Sequence, residues 1–306
     1  MNEPTDDVSR GVRVALIAFT LWGVLTVYWK QLDAFDAVEL IGWRMVFAGI
    51  VMGVIVTARG TWPKIRAAFA DRRTFARLIV AAVLLSANWG SYLWAVVNDR
   101  VIETALGYFI APLATMAIGV FVLREAPTGP QKVAFVLATF AVVILTVASG
   151  QPPWVALILA ATWSLYALSK RQINLDAIDS LAGETFVLIA PAMVWLVIVS
   201  GHADSVVSTA SAVEWGFVVG TGAITAIPLM LFASAAKSIP FTLLGPLNLI
   251  VPVINFGLGW LLYDEPMPLD RLVGFAFVWA ALGVVMYDRI VAARTPNDLK
   301  ATTSRR

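Results

Sequence analysis

Residues 76–123 read ARLIVAAVLLSANWGSYLWAVVNDRVIETALGYFIAPLATMAIGVFVL. Two apolar runs, 76–97 and 101–123, are parted only by Asn98, Asp99 and Arg100. Each run is about as long as a helix must be to cross a bilayer core, roughly 20 residues. The apolar residues are continuous rather than alternating, which predicts helices and not membrane β-strands. Working outward, similar runs occupy 11–30, 38–57, 130–148, 153–170, 180–200, 213–237, 242–263 and 270–291, ten in all. The connections are short and leave little chain for a soluble domain.

Composition agrees. Of 306 residues, 59% are hydrophobic and 14% charged. A soluble domain averages about 25% charged. Too few polar side chains remain to cover a water-exposed exterior, and intrinsic disorder fails on the same ground. The chain has no Cys, which excludes disulfides, thiolate metal sites and Cys nucleophiles. A single His, His202, sits in a polar loop and leaves no basis for a His-clustered metal site. No P-loop or other Gly-rich phosphate cradle occurs, so transport driven directly by ATP is not expected within this chain. No cofactor or metal is expected, and the chain does not read as an enzyme.

The first run, 11–30, is longer than a secretory apolar core. It follows Glu3, Asp6 and Asp7 and ends in Tyr28-Trp29-Lys30, so it reads as a retained helix. With the N-terminus inside, 18 of the 22 Lys and Arg residues fall in cytoplasmic segments, three outside and one, Arg44, within a span. That asymmetry predicts a multi-pass protein of the cytoplasmic membrane with both termini, 1–10 and 292–306, in the cytoplasm. The basic stretch 59–77 reads as a topology determinant that also suits anionic headgroups.

The two halves, 11–148 and 153–291, match each other. Ala15-Leu16-Ile17, Trp22 and Lys30 align with Ala156-Leu157-Ile158, Trp163 and Arg171 at an offset of 141. Glu39 aligns with Glu184 at 145, and Pro112, Gly119, Glu125, Phe135 and Ala141 with Pro252, Gly259, Glu265, Phe275 and Ala281 at 140. Each half holds five spans, an odd number, so the second half is upside down relative to the first. The predicted fold is an all-α integral membrane protein of ten transmembrane helices in two inverted five-helix repeats. Such repeats characterise transporters with a midplane binding site.

Four ionisable residues lie within spans: Glu39, Arg44, Glu103 and Glu184. Arg44 is the deepest. Glu103 is its better-placed partner, either locking two helices together or handling substrate or protons. Glu39 and Glu184 lie near span ends, where snorkelling to the interface is the plainer reading beside a polar gate. Trp29, Trp62, Trp154 and Trp215 read as an interfacial belt. Trp22 and Trp163 are mid-span and equivalent in the repeat, which points to a cavity wall. Asn88, Trp89, Tyr108 and Asn248 are further wall candidates. Asn98 and Asn255 need hydrogen-bond partners in hydrocarbon. Pro112 and Pro252 are hinge or kink positions that free backbone carbonyls. Gly49 with Gly53, and Gly216 with Gly220, are GxxxG pairs suited to tight helix contacts.

Asn88-Trp89, Trp94-Ala95-Val96-Val97-Asn98, Glu103 and Leu106-Gly107-Tyr108-Phe109-Ile110-Ala111-Pro112-Leu113 resemble the RarD group of EamA-type transporters, in the drug/metabolite transporter superfamily. The resemblance extends to Trp22-Gly23, Arg44, Glu184 and Tyr263-Asp264-Glu265-Pro266 and covers about 11–291. It implies ten helices in two inverted repeats, a central cavity, and movement of small metabolites or drugs across the cytoplasmic membrane. Members of the group carry the description "chloramphenicol-sensitive protein". Ala111 stands where the group usually has Asn, and Asn248-Leu249 where it tends to have Gln-Tyr. If those positions touch substrate, specificity differs from that of the relatives.

The function expected is therefore a secondary transporter working by alternating access. The alternatives are a non-transporting scaffold or sensor, a membrane-embedded transferase, and a passive channel. The expected partners are a small-molecule substrate and membrane lipid. Proton coupling and a homodimer stay open, and nucleic acid is not among the partners.

Overall fold

The computed structural model describes residues 4–122, 124, 126–170, 172–238 and 247–294. Glu125, Arg171, the start of the ninth expected span and the far C-terminal tail lie outside them. Among the described residues every regular element is helical. The elements are α1 (Pro4–Trp29), α2 (Ala37–Arg59), α3 (Trp62–Ala70), α4 (Arg72–Val97), α5 (Val101–Phe121), α6 (Gly129–Ser149), α7 (Trp154–Lys170), α8 (Ala177–Val199), α9 (Val206–Thr209), α10 (Ala212–Ser238), α11 (Ile250–Gly257) and α12 (Leu269–Arg294). A 3-10 turn, Lys30–Leu32, follows α1, and a π-helical turn, Leu258–Leu262, follows α11.

Eight of these helices are long and apolar enough to cross a membrane. The sixth and ninth expected spans correspond to shorter apolar helices, Trp154–Lys170 and Ile250–Leu262. The stretch 59–77 is more than a charged loop. It folds α3, whose Ile65 and Ala68 are buried beside α4 and α8. The helix α1 also begins earlier than the expected residue 11.

Helix ends follow local chemistry. The Asp36 carboxylate accepts from the N–H groups of Val38 and Glu39 at the start of α2. Gly60, at φ 65°, ends that helix in the left-handed region. Asp71 caps α4, and Asp176 caps α8 by accepting from Ile178 and Asp179. Thr128 and Gln131 form a capping box at the start of α6.

The main packing pairs are α6 with α12, α5 with α7, α1 with α10, α2 with α8 and α10, and α4 with α7. The pairs α1 with α11, α5 with α11 and α4 with α8 complete the bundle. Nearly all of this packing crosses the boundary between residues 148 and 153. Gly107 on α5 permits one of the close helix contacts. A Cβ built there would lie 2.8 Å from the Leu159 Cβ and 3.1 Å from the Ala156 backbone on α7. The GxxxG pairs serve only by halves. Gly49 packs on Ile189 and Gly220 on Tyr28, while Gly53 and Gly216 meet nothing within 4 Å. Large apolar side chains such as Ile50, Val54, Val147, Val194, Val197 and Leu261 stay exposed on the outside of the bundle. That exterior matches lipid as solvent and would be an aggregation hazard in water.

Candidate functional site

A cavity opens where α1, α2, α4, α5, α7, α8, α10, α11 and the segment just before α11 converge. The centre of a water molecule can visit about 110 Å³ of it. At roughly 10–15 Å³ per water on that measure, it is large enough for several waters or one small molecule. Its polar and aromatic wall is Trp22, Trp29, Arg44, Trp89, Tyr92, Tyr108, Trp163, Tyr166 and Asn248. Leucines 25, 85, 181 and 229 and Val251 supply the remainder. Both halves of the chain contribute, with Trp22 on α1 and Trp163 on α7.

Five of the six wall candidates, Trp22, Trp89, Tyr108, Trp163 and Asn248, come together here. Asn88 lies just behind the wall. Its Nδ2 donates to the Leu159 carbonyl at 3.1 Å and to Thr162 Oγ1 at 3.0 Å, while its Oδ1 accepts from the Tyr108 hydroxyl at 3.3 Å. Asn88 thereby ties α4 to α7 and orients a ring of the wall. Trp22 packs against Phe19 and Phe232, with centroids 5.9 and 5.7 Å away. Trp163 meets Tyr108 edge-on at 6.3 Å.

Three wall residues were not among the candidates. Trp29 was expected at the interface, but it is 2% exposed and its indole faces Arg44. It belongs to a buried cluster with Leu32, Tyr92 and Leu93, which takes this Trp out of lipid reach. Tyr92 and Tyr166 carry a readable signal: each follows a wall Trp by three residues and shares its helix face.

Arg44 enters from α2 and is 7% exposed. Its Nε donates to Thr225 Oγ1 at 3.1 Å on α10. Its guanidinium carbon lies 3.9 Å from the Trp89 ring centroid and 5.2 Å from that of Trp29. Glu103 does not pair with it. Glu103 faces Arg100 at 3.5 Å instead, because it sits in the first turn of α5 and reaches the neighbouring loop cation. The Arg44–Glu103 pair is thus replaced by stacking on indole rings and a hydroxyl.

The snorkelling expected of Glu39 and Glu184 does not occur; they are 3% and 0% exposed. Glu39 accepts from the Val206 N–H at 3.0 Å and from Trp43 Nε1 at 3.3 Å, holding the start of α9. Glu184 accepts from Lys170 Nζ at 2.6 Å, Ser180 Oγ at 2.8 Å and the Tyr166 hydroxyl at 2.9 Å. It therefore supports a ring of the wall from beneath. Both carboxylates found donors that a backbone-only view of span ends does not reveal.

Pro112 lies inside α5. The preceding carbonyl, of Ala111, accepts from Thr115 Oγ1 and from Ser164 Oγ on α7. Pro252 lies in α11 near a buried polar network. There, Thr26 Oγ1 is 2.8 Å from the Tyr92 hydroxyl and donates to Asn255 Oδ1 at 2.9 Å, and Asn255 Nδ2 donates to Thr104 Oγ1 at 3.2 Å. Four helices, α1, α4, α5 and α11, meet in that network. The need of Asn255 for partners was readable, but the identity of the partners was not.

Outside the spans, Glu265 closes one end of the site's framework. Its carboxylate accepts from the N–H groups of Val101 and Ile102 at the start of α5. Burial raises its pKa, and those two donors partly oppose the rise.

Comparison with known proteins gives a consistent picture. Residues 9–147 match the EamA-like transporter family. Protein RarD of Streptomyces exfoliatus is 39% identical over 90% of this chain and 88% of its own length. The uncharacterized transporter YojE of Bacillus subtilis is 32% identical over 93% of this chain and 96% of its own. A crystal structure of a protein 17% identical in sequence superimposes with a TM-score of 0.60, covering 94% of this chain and 98% of that one. Similarity of this extent, running through both halves, makes the chain a multi-pass membrane transporter that belongs to the RarD group of the EamA-like transporters.

Proposed function

We propose that this protein is a secondary transporter of the cytoplasmic membrane, moving a small metabolite or drug-like molecule by alternating access, with both termini in the cytoplasm. The observation that carries the reading is the cavity wall shared by Trp22 and Trp163, equivalent residues of the two halves. Packing supports an inverted repeat. Exchanging α1, α2, α4, α5 and α6 with α7, α8, α10, α11 and α12 turns α1–α10 into α7–α4, α1–α11 into α7–α5, and α2–α10 into α8–α4. It leaves α6–α12, α2–α8 and α5–α11 unchanged. A bundle built so has two related packings, in which one half takes the conformation of the other. Pro112 and Pro252 are the hinge positions of the equivalent helices α5 and α11. Glu39, Glu103 and Glu184 are the candidate proton-handling groups if a proton gradient drives the cycle.

Aromatic walls with a few polar groups suit an amphipathic small molecule. The test is saturable uptake into proteoliposomes containing the full chain, across a panel of amino acids, nucleosides, sugars and aromatic drugs. Trp22→Ala and Trp163→Ala are each expected to lower flux at least about tenfold while folding normally. Normal flux in both variants would remove the cavity from the transport path.

A further inference from the structure

Among the described residues the cavity wall carries one full charge, and none of them balances it. The ion pairs among the described residues are Lys30–Asp99, Arg59–Asp176, Arg59–Asp179, Lys64–Asp179, Arg100–Glu103 and Lys170–Glu184. Arg44 is in none of them. Its one hydrogen bond uses Nε and ends on a neutral hydroxyl, Thr225. That hydroxyl is committed in turn, since Thr225 Oγ1 donates to the Thr221 carbonyl at 2.8 Å. The two terminal guanidinium nitrogens have no partner among the described residues, and the residue lines the cavity. No Asp or Glu is among the described residues of the wall.

Arginine stays protonated in proteins. A buried cation faced by aromatic rings and neutral hydroxyls lacks the counter-charge that buried charges normally have. Trp89 and Trp29 offer their ring faces, which attract a cation but do not neutralise it. The free edge of the guanidinium is a two-pronged donor whose geometry matches a carboxylate. With Nε tied to α10 and the plane held against indole, that edge is oriented before any ligand arrives.

We infer that the cavity takes an organic monoanion, a carboxylate on an aromatic or aliphatic body, with Arg44 as its charge partner. This rests on the reading of the cavity as the transport site and names the substrate class for it. One cation and no acid in the wall set the net charge. A second negative group, as on a phosphate ester, finds no partner. A free ammonium meets no carboxylate and faces Arg44. The remaining wall, mostly indole, phenol and leucine, fits the apolar body.

The experiment uses the detergent-purified full chain and three probes of one shape: indole-3-acetate, indole-3-acetamide and tryptamine. Affinities are read from thermal-shift titration. The carboxylate is expected to bind at least about tenfold tighter than the amide, and the amine weakest. Arg44→Gln is expected to remove the preference, leaving acetate and acetamide alike. Arg44→Lys, which keeps charge but loses the fork, is expected to fall between. Should Arg44→Gln fail to fold, the wild-type acetate-to-acetamide ratio decides alone. Equal binding of acid and amide, tighter binding of the amine, a preference that survives Arg44→Gln, or no binding of any probe would each overturn the inference. Saturable, Trp22-dependent flux of a neutral solute alongside such a result would leave the transporter reading standing and remove only the anion.

Discussion

The Lys170–Glu184 pair makes a sharp stability prediction because its two ends differ in burial. The Glu184 side chain is 0% exposed and that of Lys170 is 24% exposed. Removing one partner from a buried pair costs about 3–5 kcal/mol, mostly from stranding the other charge. In Lys170→Met the stranded group is a fully buried carboxylate, left with only the Ser180 and Tyr166 hydroxyls. The full range, about 3–5 kcal/mol, applies. In Glu184→Gln the stranded group is an ammonium that can reach water, and the amide oxygen still accepts. The loss is then the difference between charged and neutral hydrogen bonds, about 1–2 kcal/mol. At about 2 °C per kcal/mol for a chain of this length, melting falls roughly 6–10 °C for Lys170→Met and 2–4 °C for Glu184→Gln. The double variant strands no charge and is expected to melt above Lys170→Met alone. Thermal unfolding of the purified protein, followed by tryptophan fluorescence, measures all three. A Glu184→Gln loss equal to or above that of Lys170→Met, or plain additivity in the double variant, would refute the burial argument.

Three further outcomes follow from geometry already described. Gly107→Ala drives a methyl into the α7 backbone and is expected to cost about 1–3 kcal/mol; Gly53→Ala meets nothing within 4 Å and gains helix propensity, so melting should move in opposite directions. Asp176 carries a lowered pKa because, although burial raises it, the Asp179 N–H and Arg59 outweigh that effect. Its contribution is present above the ordinary value of 3.8 and is lost as pH falls through the depressed folded value. Asp176→Ala should lose about 1 kcal/mol at neutral pH while Asp176→Asn keeps most of the cap, and equal losses would discount capping. Glu265 has the opposite sign: its raised folded pKa makes its contribution complete below the ordinary 4.5 and lost as pH rises through the raised value. Glu265→Gln should therefore flatten the dependence of melting temperature on pH over that interval, and an unchanged profile would discard the assignment.

What was legible in the sequence follows from the solvent. Lipid imposes length and apolarity on every span, so the runs announce themselves and their edges fall within a few residues of α2, α4, α5 and α8. Wall residues were legible where two constraints coincided. Trp22 and Trp163 were both mid-span and repeat-matched, and both line the cavity. Polar partnerships were not legible, since hydropathy says that a carboxylate is costly in lipid but not where its donors lie. Glu184 finds Lys170 because α7 and α8 meet at their ends, and Glu39 finds the N–H of Val206, 167 residues away. The Arg44–Glu103 expectation failed for the same reason. Depth along two spans was estimated, but the rotation of each helix about its own axis was not. Trp29 failed because it faces the bundle interior, in a cluster with Leu32 and Tyr92, and a count of residues per span does not fix which way a helix face turns.

The interleaving of early and late helices has a consequence for how the chain is made. The main partner of α1, α10, begins at Ala212. At a synthesis rate of about 5–20 residues per second, α1 waits roughly 10–40 s for that partner to emerge. Asn88 gains Leu159 and Thr162 within that interval, but through all of it Arg44 lacks Thr225 and the first N–H groups of α5 lack Glu265. The nascent first half is thus a set of helices whose polar groups still await partners from the second half. A chain cut after α6 keeps those donors open for good, because their acceptors lie in the second half.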